Sequence, residues 1–316
     1  MLRSFILFLA NARWARQLIS RFGFARRMAG RFVAGETAAE AITAIQSLNA
    51  RGIQATLDYL GESVTSEAAA TRAGDEYVAV LGHIAEGGAR SNVSIKLTQM
   101  GLDLSQDFCT ANVRRIVARA NELNSFVRID MEGTLHTDAT LAVFNALHRE
   151  FDNVGIVLQA YLYRTGDDLQ AVLAEKARVR VCKGAYQEPP DKAFPRKADV
   201  DENFVKLARV LLDHAQLRPP ANADGLVPPV PAIATHDEQM IKAVQAYAAE
   251  KAIPRECFEF QMLYGIRRDL QDKLAKEGYA LRVYVPYGTE WYPYFMRRLA
   301  ERPANVWFFL SNLVRR

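Results

Sequence analysis

Strand-like and helix-like patterns of apolar residues alternate along the chain from residue 36 onwards. Short apolar runs predict strands. Between them, apolar residues recur at the three- and four-residue spacing of a helix face, for example in residues 111–123 and 202–215. The predicted strands cover residues 53–58, 92–97, 126–130, 154–159, 178–183, 231–235, 257–261 and 281–285. Such an alternation indicates an α/β protein with a parallel (β/α)8 barrel. A doubly wound sheet is the second interpretation.

Two proline-rich stretches, residues 187–197 and 217–231, interrupt this alternation. We interpret both as loops within one domain, because the alternation resumes after each of them. We therefore expect an N-terminal helical segment at residues 1–35 and a barrel at residues 36–316.

The N-terminal segment is basic and apolar. Residues 1–31 contain seven arginines and no acidic residue, with Phe5, Leu9, Trp14 and Leu18 between them. This composition suits a basic amphipathic helix on an anionic membrane surface. It also suits a helix that docks on the barrel, which is the favoured interpretation. Peripheral contact with the inner face of the cell membrane is kept as the alternative.

Composition and charge exclude several classes of protein. The 316 residues, 50% of them hydrophobic, can bury the core of a barrel, and the net charge of +4 predicts no nucleic-acid partner. Cys109, Cys182 and Cys257 form no CxxC motif. They suit reduced thiols in a cytoplasmic enzyme better than a disulfide framework or a zinc site. No apolar run approaches the ~20 residues of a membrane span.

Polar residues stand at the ends of all the predicted strands. Parallel barrels carry their chemistry at the carboxyl ends of the strands, and polar groups buried there without partners would be costly. The sequence therefore predicts a functional site at this end of the barrel. Its candidate residues are Asp58, Lys96, Asp130, Gln159, Lys183, Thr235, His236, Gln261 and Tyr284.

A helix after the last predicted strand carries a pair of arginines. We expect it to begin near Pro293, which suits a first helical turn. Tyr294, Arg297, Arg298 and Glu301 then share one face. Two neighbouring guanidinium groups can fix a carboxylate or a phosphate, and Glu301 could hold either arginine in place. We interpret the pair as an anion clamp rather than as a solvated charged face.

Several common motifs are missing from the sequence. It contains no GxGxxG, GxxxxGK[ST], HExxH or GxSxG motif, so a classical Rossmann site, a P-loop, a zincin and an α/β-hydrolase are not expected. Of the five histidines, only His236 falls at a predicted strand end, which argues against a metal centre.

Seven spaced motifs across roughly residues 90–310 resemble the flavin-dependent proline dehydrogenases, in their short bacterial monofunctional form. The motifs follow one another in the order of that family. They are Ser-Ile-Lys-Leu-Thr-Gln-Met-Gly (94–101), Arg-Ile-Asp-Met-Glu (128–132), Gln-Ala-Tyr-Leu (159–162), Arg-Val-Cys-Lys-Gly-Ala-Tyr (180–186), Ala-Thr-His (234–236), Glu-Phe-Gln-Met-Leu-Tyr-Gly (259–265) and residues 284–301.

The resemblance implies a distorted barrel that binds FAD and oxidises L-proline to Δ1-pyrroline-5-carboxylate. This is the first step of proline degradation to glutamate, and the electrons would pass to a quinone. The family's active-site positions match Asp130 and Arg180. Its substrate-binding positions match Lys96, Tyr186, Leu263, Tyr284, Tyr294, Arg297, Arg298 and Glu301. Its FAD-binding positions match Met131, Gln159, Arg180, Lys183, Gly184, Ala185, Thr235 and His236.

Two other functions stay open at this point. The arginine clamp could bind a different anionic substrate in another flavin-dependent barrel enzyme, such as one of the folate-reductase type. A membrane- or nucleic-acid-binding module would account for the basic residues 1–31, but not for the polar strand ends. Bound flavin would distinguish an enzyme of either type from such a module.

Overall fold

The computed structural model describes residues 27–215, 225–228 and 231–300, in which eight strands form one closed parallel barrel. The strands are β1 (Gln54–Tyr59), β2 (Ser91–Ile95), β3 (Val127–Ile129), β4 (Val154–Gln159), β5 (Arg178–Cys182), β6 (Pro231–Ala234), β7 (Glu259–Leu263) and β8 (Ala280–Tyr287).

Helices lie on the outside of the barrel, one before β1 and the others after the strands. They are α1 (Ala38–Asn49), α2 (Glu67–Glu86), α3 (Gln106–Glu122), α4 (Thr137–His148), α5 (Thr165–Ala174), α6 (Lys197–Ala215), α7 (Glu238–Glu250), α8 (Arg268–Lys276) and α9 (Trp291–Ala300). Within the described ranges, none combines the length and the hydropathy that a membrane span requires.

Pairing of the first and last strands closes the barrel. Ala55 of β1 pairs with Ser91 of β2 on one side and with Val283 of β8 on the other, both in parallel. This closure confirms the predicted (β/α)8 barrel. The doubly wound sheet was wrong, because an open sheet would leave β1 or β8 with a free edge.

Side chains that accept hydrogen bonds at helix starts explain several boundaries. Thr37 and Glu40 form a capping box at α1, where Oε2 of Glu40 accepts from the N–H of Thr37 at 3.0 Å. Ser66, Ser105 and Asp237 each accept a backbone N–H at the first turn of α2, α3 and α7. These caps end each βα loop and so set how far each loop extends beyond the barrel.

Only β4 has the predicted bounds, and the other strands begin or end one or two residues away from their predicted positions. β7 begins at Glu259 rather than at residue 257, because Arg255–Cys257 form a turn of 3-10 helix after Pro254. α9 begins at Trp291 rather than near Pro293. Pro293 still lies in the first turn, where its missing N–H has no acceptor within the helix.

A buried ion pair lies inside the barrel, toward the amino ends of the strands. Nε of Arg282 is 2.9 Å from Oε1 of Glu259, and Nη1 donates to the carbonyl oxygen of Ala55 and to Oδ1 of Asn92. Arg282 and Glu259 are almost fully buried. Polar groups that are accessible to a ligand therefore concentrate at the opposite end of the barrel.

The described part of the N-terminal segment packs against α9. Met28, Phe32 and Val33 form a buried cluster with Trp291 and Phe295. Residues 1–26, which contain the predicted extra helices and the alternative membrane contact, lie outside the described residues. The proposed boundary at residue 35 stays a prediction.

Candidate active site

A cavity of about 480 Å³ opens at the carboxyl ends of the strands. It brings together the site residues predicted from the sequence except Asp58, which is fully buried and does not line the cavity, and Glu301, which lies outside the described residues. The lining includes Lys96, Asp130, Met131, Gln159, Arg180, Lys183, Gly184, Ala185, Tyr186, Thr235, His236, Leu263, Tyr284, Tyr294, Arg297 and Arg298. Strand order explains this gathering, because residues that are far apart in sequence end neighbouring strands.

Two buried residues, Lys96 and Arg180, and two partly buried ones, Asp130 and Tyr284, form the floor of the cavity, and we call the four the floor cluster. Asp130 is its centre. Its Oδ1 accepts from Nη2 of Arg180 and from Oγ of Ser94, and its Oδ2 accepts from the hydroxyl of Tyr284 at 2.8 Å. The carboxylate thus holds groups from β2, β5 and β8 together beneath the cavity.

Lys96 lies between two carboxylates. Its Nζ is 3.1 and 3.2 Å from the two carboxylate oxygens of Asp58 and 3.9 Å from Oδ2 of Asp130. It also donates to the hydroxyl of Tyr284 at 3.2 Å. Asp58 is fully buried on β1, and Tyr77 donates to its Oδ1 at 3.3 Å.

Burial and neighbouring charges determine the protonation states in the floor cluster. Burial acts to raise the pKa of Asp130, but Arg180 and Lys96 outweigh it and hold that pKa below its usual value. Burial acts to lower the pKa of Lys96, but Asp58 and Asp130 raise it overall. Burial raises the pKa of the Tyr284 hydroxyl, and the charge of Asp130 adds to this effect. The floor therefore carries a carboxylate, two cations and a neutral phenol at neutral pH.

The two arginines of α9 lie at the more exposed side of the cavity. Arg297 pairs with Glu62 from the β1–α2 loop, with Nη2 to Oε1 at 2.6 Å and Nη1 to Oε2 at 3.1 Å. The guanidinium of Arg298 lies over the ring of Tyr294, 5.1 Å from its centroid. Glu301, predicted to hold one of the arginines, lies outside the described residues, so that contact stays a prediction, and Glu62 is an additional acidic partner of Arg297.

On the β3–β7 side of the cavity, the polar residues at the strand ends mainly form hydrogen bonds to backbone groups of nearby loops and strands. Nε2 of Gln159 donates to the carbonyl oxygens of Met131 and Glu132 at 3.3 and 2.8 Å. Nε2 of His236 accepts the backbone N–H of Leu263 at 2.9 Å, and Oγ1 of Thr235 accepts the N–H of Asp237. These hydrogen bonds hold the neighbouring loops in fixed positions around the cavity.

Lys183 has acidic partners that the sequence did not reveal. Its Nζ contacts a carboxylate oxygen of Asp201 on α6 and lies 2.8 Å from Oδ2 of Asp237, the residue that caps α7. The family resemblance placed Lys183 among the FAD-binding positions, and FAD carries phosphate groups. In the structure, a phosphate at this position would share the lysine with two carboxylates.

The backbone conformation of Gly184 and its packing against Tyr161 both require glycine. Its φ of +108° favours glycine, and a Cβ at this position would lie 2.3 Å from a carbon of the Tyr161 ring. Ala185 follows it on the cavity wall. A side chain at position 184 would therefore displace the Tyr161 ring behind this part of the wall.

Glu62, Asp58, Ser94 and Asp201 are the site residues that sequence reasoning missed or left without a role. Three of them lie within strands or helices whose polar members have no distinctive spacing. Glu62 was detectable only as an acidic residue shortly after β1, in a Gly-Glu-Ser turn. Its partner follows 235 positions later in the chain.

Comparison with known proteins points to one family. The sequence profile described as "Proline dehydrogenase" matches residues 41–310. The chain is 41% identical to "Proline dehydrogenase 1" of Bacillus subtilis (strain 168) over 316 residues, which cover the whole of both chains. It is also 41% identical to "Proline dehydrogenase" of Deinococcus radiodurans over 293 residues, 91% of this chain and 90% of that one.

Solved structures with a similar fold come from longer chains. Proline utilization A (PutA) of Bdellovibrio bacteriovorus, described as inactivated by N-propargylglycine, matches with a TM-score of 0.79 and 27% identity over 88% of this chain. PutA of Bradyrhizobium japonicum matches with a TM-score of 0.71 and 25% identity over the same share. This chain spans about a third of the length of each, 33% and 31%.

Proposed function

This chain belongs to the proline dehydrogenase family, and from that premise we propose that its cavity holds FAD and L-proline and yields Δ1-pyrroline-5-carboxylate. The protein oxidises proline in proline catabolism and depends on a flavin, and an electron acceptor takes up the electrons. The folate-reductase alternative is not favoured, because the relatives matched over the full length are proline dehydrogenases.

The residue assignments rest on one observation. The cavity has the guanidinium groups of Arg297 and Arg298 on one side and the floor cluster on the other. Proline offers a carboxylate and a small apolar ring. Arg297 and Arg298 would bind the carboxylate by charge-assisted hydrogen bonds. Lys96 would contribute a third positive charge from below, although Asp58 and Asp130 already offset most of it.

Aromatic and aliphatic side chains would enclose the pyrrolidine ring. Tyr186, Leu263, Tyr284 and Tyr294 line the same cavity as the arginines. Tyrosine hydroxyls ionise only at about pH 10, so this wall is uncharged at neutral pH. A neutral wall beside a cationic pair suits a zwitterion that is bound through its carboxylate.

The residues beside the floor cluster fit a flavin. Gly184 and Ala185 are small residues of the cavity lining, Met131 and Leu263 add apolar surface, and Lys183 supplies a cation. Gln159, Thr235 and His236 would border the cofactor, and Arg180 would place a positive charge close to its ring. When bound, a flavin supplies the acceptor for the hydride that leaves C5 of proline. The protein's own task is to orient C5 and exclude water.

We also propose a quinone as the electron acceptor, in line with the family resemblance. A lipid-soluble acceptor is reached most readily at a bilayer. Residues 1–31, with seven arginines among apolar residues, support contact with the anionic inner face of the cell membrane.

Replacement of Arg298 by Met tests the clamp. The variant should lose about 10- to 150-fold in kcat/KM for proline, because a hydrogen bond to a charged group contributes about 1.5–3 kcal/mol. Its flavin content should not change. The matched control is Arg114→Met on α3, which removes an exposed pair with Glu150 and should leave proline kinetics unaltered. Unchanged kinetics in Arg298→Met would contradict the assignment.

A further inference from the structure

We propose that Thr98 is a positioning residue for proline binding: it holds the β1–α2 loop so that Glu62 is presented to Arg297. The proposal rests on the proposed function, because it acts through an arginine assigned to the proline carboxylate. Thr98 lies in the loop after β2, is only 2% exposed, and does not line the cavity.

The loop that carries Glu62 has an unfavourable backbone conformation. Ser63, the next residue, has a φ of +50°, which a residue with a side chain rarely adopts. Both Glu62 and Ser63 are exposed to solvent, so packing does not impose this turn. Conformations of this kind persist where surrounding contacts over-determine them.

Thr98 supplies those contacts. Its Oγ1 accepts the backbone N–H of Ser63 at 3.2 Å, and its carbonyl oxygen accepts the backbone N–H of Val64 at 3.3 Å. One residue therefore binds the two peptide groups that directly follow Glu62.

Thr98 is itself fixed by a buried carboxylate. Oε1 of Glu132 accepts the backbone N–H of Thr98 at 3.0 Å, and Oε2 accepts its hydroxyl at 2.7 Å. Because the hydroxyl proton goes to Glu132, the Oγ1 lone pairs face the N–H of Ser63. Glu132 is 5% exposed, and Gln159 donates to its backbone carbonyl. The loop is thus connected through Thr98 to the ends of β3 and β4.

The adjacent Gln99 supports the start of the same loop. Its Nε2 donates to the carbonyl oxygen of Tyr59 at 3.1 Å. It also fills the space beside Gly61, where a Cβ would come within 2.5 Å of Nε2. The loop is therefore held on both sides of Glu62 by two consecutive residues.

This arrangement matters because the Glu62–Arg297 pair is about one-third exposed. A pair at that exposure gains little from Coulomb attraction and loses side-chain entropy when it forms. A loop that is already in place lowers this entropic cost. We infer that loss of the Thr98 hydroxyl would let Glu62 move away and leave Arg297 misaligned for the substrate carboxylate.

The test is the flavin-loaded Thr98→Val enzyme, which keeps the shape of the side chain and loses its hydroxyl. KM for proline should rise about three- to tenfold, the equivalent of one hydrogen bond, while kcat and flavin content stay close to the parent values. Thr98→Ser keeps the hydroxyl and should restore the parent KM. Thr110→Val on α3, whose hydroxyl bonds only within its own helix, is the control.

A double variant separates positioning from a purely structural role. If Thr98 acts through Glu62, then Glu62→Gln combined with Thr98→Val should show the KM of Glu62→Gln alone. Lower thermal stability with an unchanged KM in Thr98→Val would overturn the proposal, as would fully additive effects.

If Thr98→Val does not fold, a second variant tests the proposal. Ser63→Pro removes the donor to Oγ1 from the loop side and imposes a negative φ, without touching the buried Thr98–Glu132 pair. It should raise KM to the same extent, and an unchanged KM would overturn the proposal. If Arg298→Met raises KM and both loop variants do not, only this inference fails; if Arg298→Met has no effect, the proposed function fails.

Discussion

At the scale of single residues, Asp130 is the group on which the cavity floor depends. Its side chain is only 14% exposed, lies between Arg180 and Tyr284, and is within 4 Å of Lys96. Removal of one partner from a buried ion pair costs more than removal of both, because a desolvated charge is left behind. Asp130 should therefore contribute strongly to stability as well as to the electrostatics of the site.

The pH dependence of stability follows from the pKa of Asp130. Burial would raise this pKa, but Arg180 and Lys96 hold it below its usual value of about 3.9. The stabilisation is therefore complete above about pH 4 and disappears as pH falls through the folded-state pKa. Asp130→Asn should lose about 3 kcal/mol in the free energy of unfolding at pH 7, and the difference from the parent should shrink below pH 4.

Denaturant unfolding at a series of pH values measures this difference. The control is Asp138→Asn, which removes a carboxylate with an 85% exposed side chain from its pair with Arg164. It should cost less than about 1 kcal/mol. A difference between Asp130→Asn and the parent that stays constant from pH 7 to pH 3 would contradict the account.

The sequence alone identified most of the residues that line the cavity, but not all of the residues that form ion pairs and hydrogen bonds with them. Lys96, Asp130, Arg180 and Tyr284 were identifiable from strand ends and family motifs, because the barrel brings strand ends together. Glu62 was missed, since its pairing with Arg297 depends on the path of an irregular loop. No periodic pattern encodes that path.

At the scale of secondary-structure elements, the sequence predicted the number and order of the strands better than it predicted their boundaries. β4 occupies the predicted residues 154–159. β7 is displaced by two residues because Pro254 is followed by a 3-10 turn, which apolar periodicity does not distinguish from the first residues of a strand. Local turn chemistry therefore decided the boundary.

The N-terminal segment divides into two parts with different expected roles. Met28, Phe32 and Val33 pack against α9, so a truncation that removes them would disturb the helix that carries Arg297. A truncation that begins at Arg27 keeps this packing and removes five of the seven arginines of residues 1–31. It therefore separates membrane contact from structural support.

The truncated enzyme should keep its thermal stability and its flavin but lose binding to vesicles that contain phosphatidylglycerol. Basic residues near an anionic surface contribute about 1 kcal/mol each to binding. Vesicles of neutral phosphatidylcholine are the control and should bind neither protein strongly. Failure of the full-length enzyme to bind the anionic vesicles would contradict the proposed membrane contact.

At the scale of the whole molecule, the parallel barrel explains why the functional site lies at one end. The Arg282–Glu259 pair and its partners fill the interior toward the amino ends, whereas the floor cluster and α9 border a cavity at the carboxyl ends. The alternation of patterns predicted the barrel. Its closure depends on pairing between β1 and β8, which are more than 200 residues apart and which local periodicity cannot connect.

The absorption spectrum of the purified enzyme, recorded without oxygen before and after addition of L-proline, tests the central claim most directly. The account predicts the bands of an oxidised flavin, released as FAD on denaturation, and their bleaching by proline. Pyrrolidine, which lacks the carboxylate for Arg297 and Arg298, should bleach them far more slowly. A flavin that proline leaves oxidised, or that pyrrolidine reduces as readily as proline, would contradict the account.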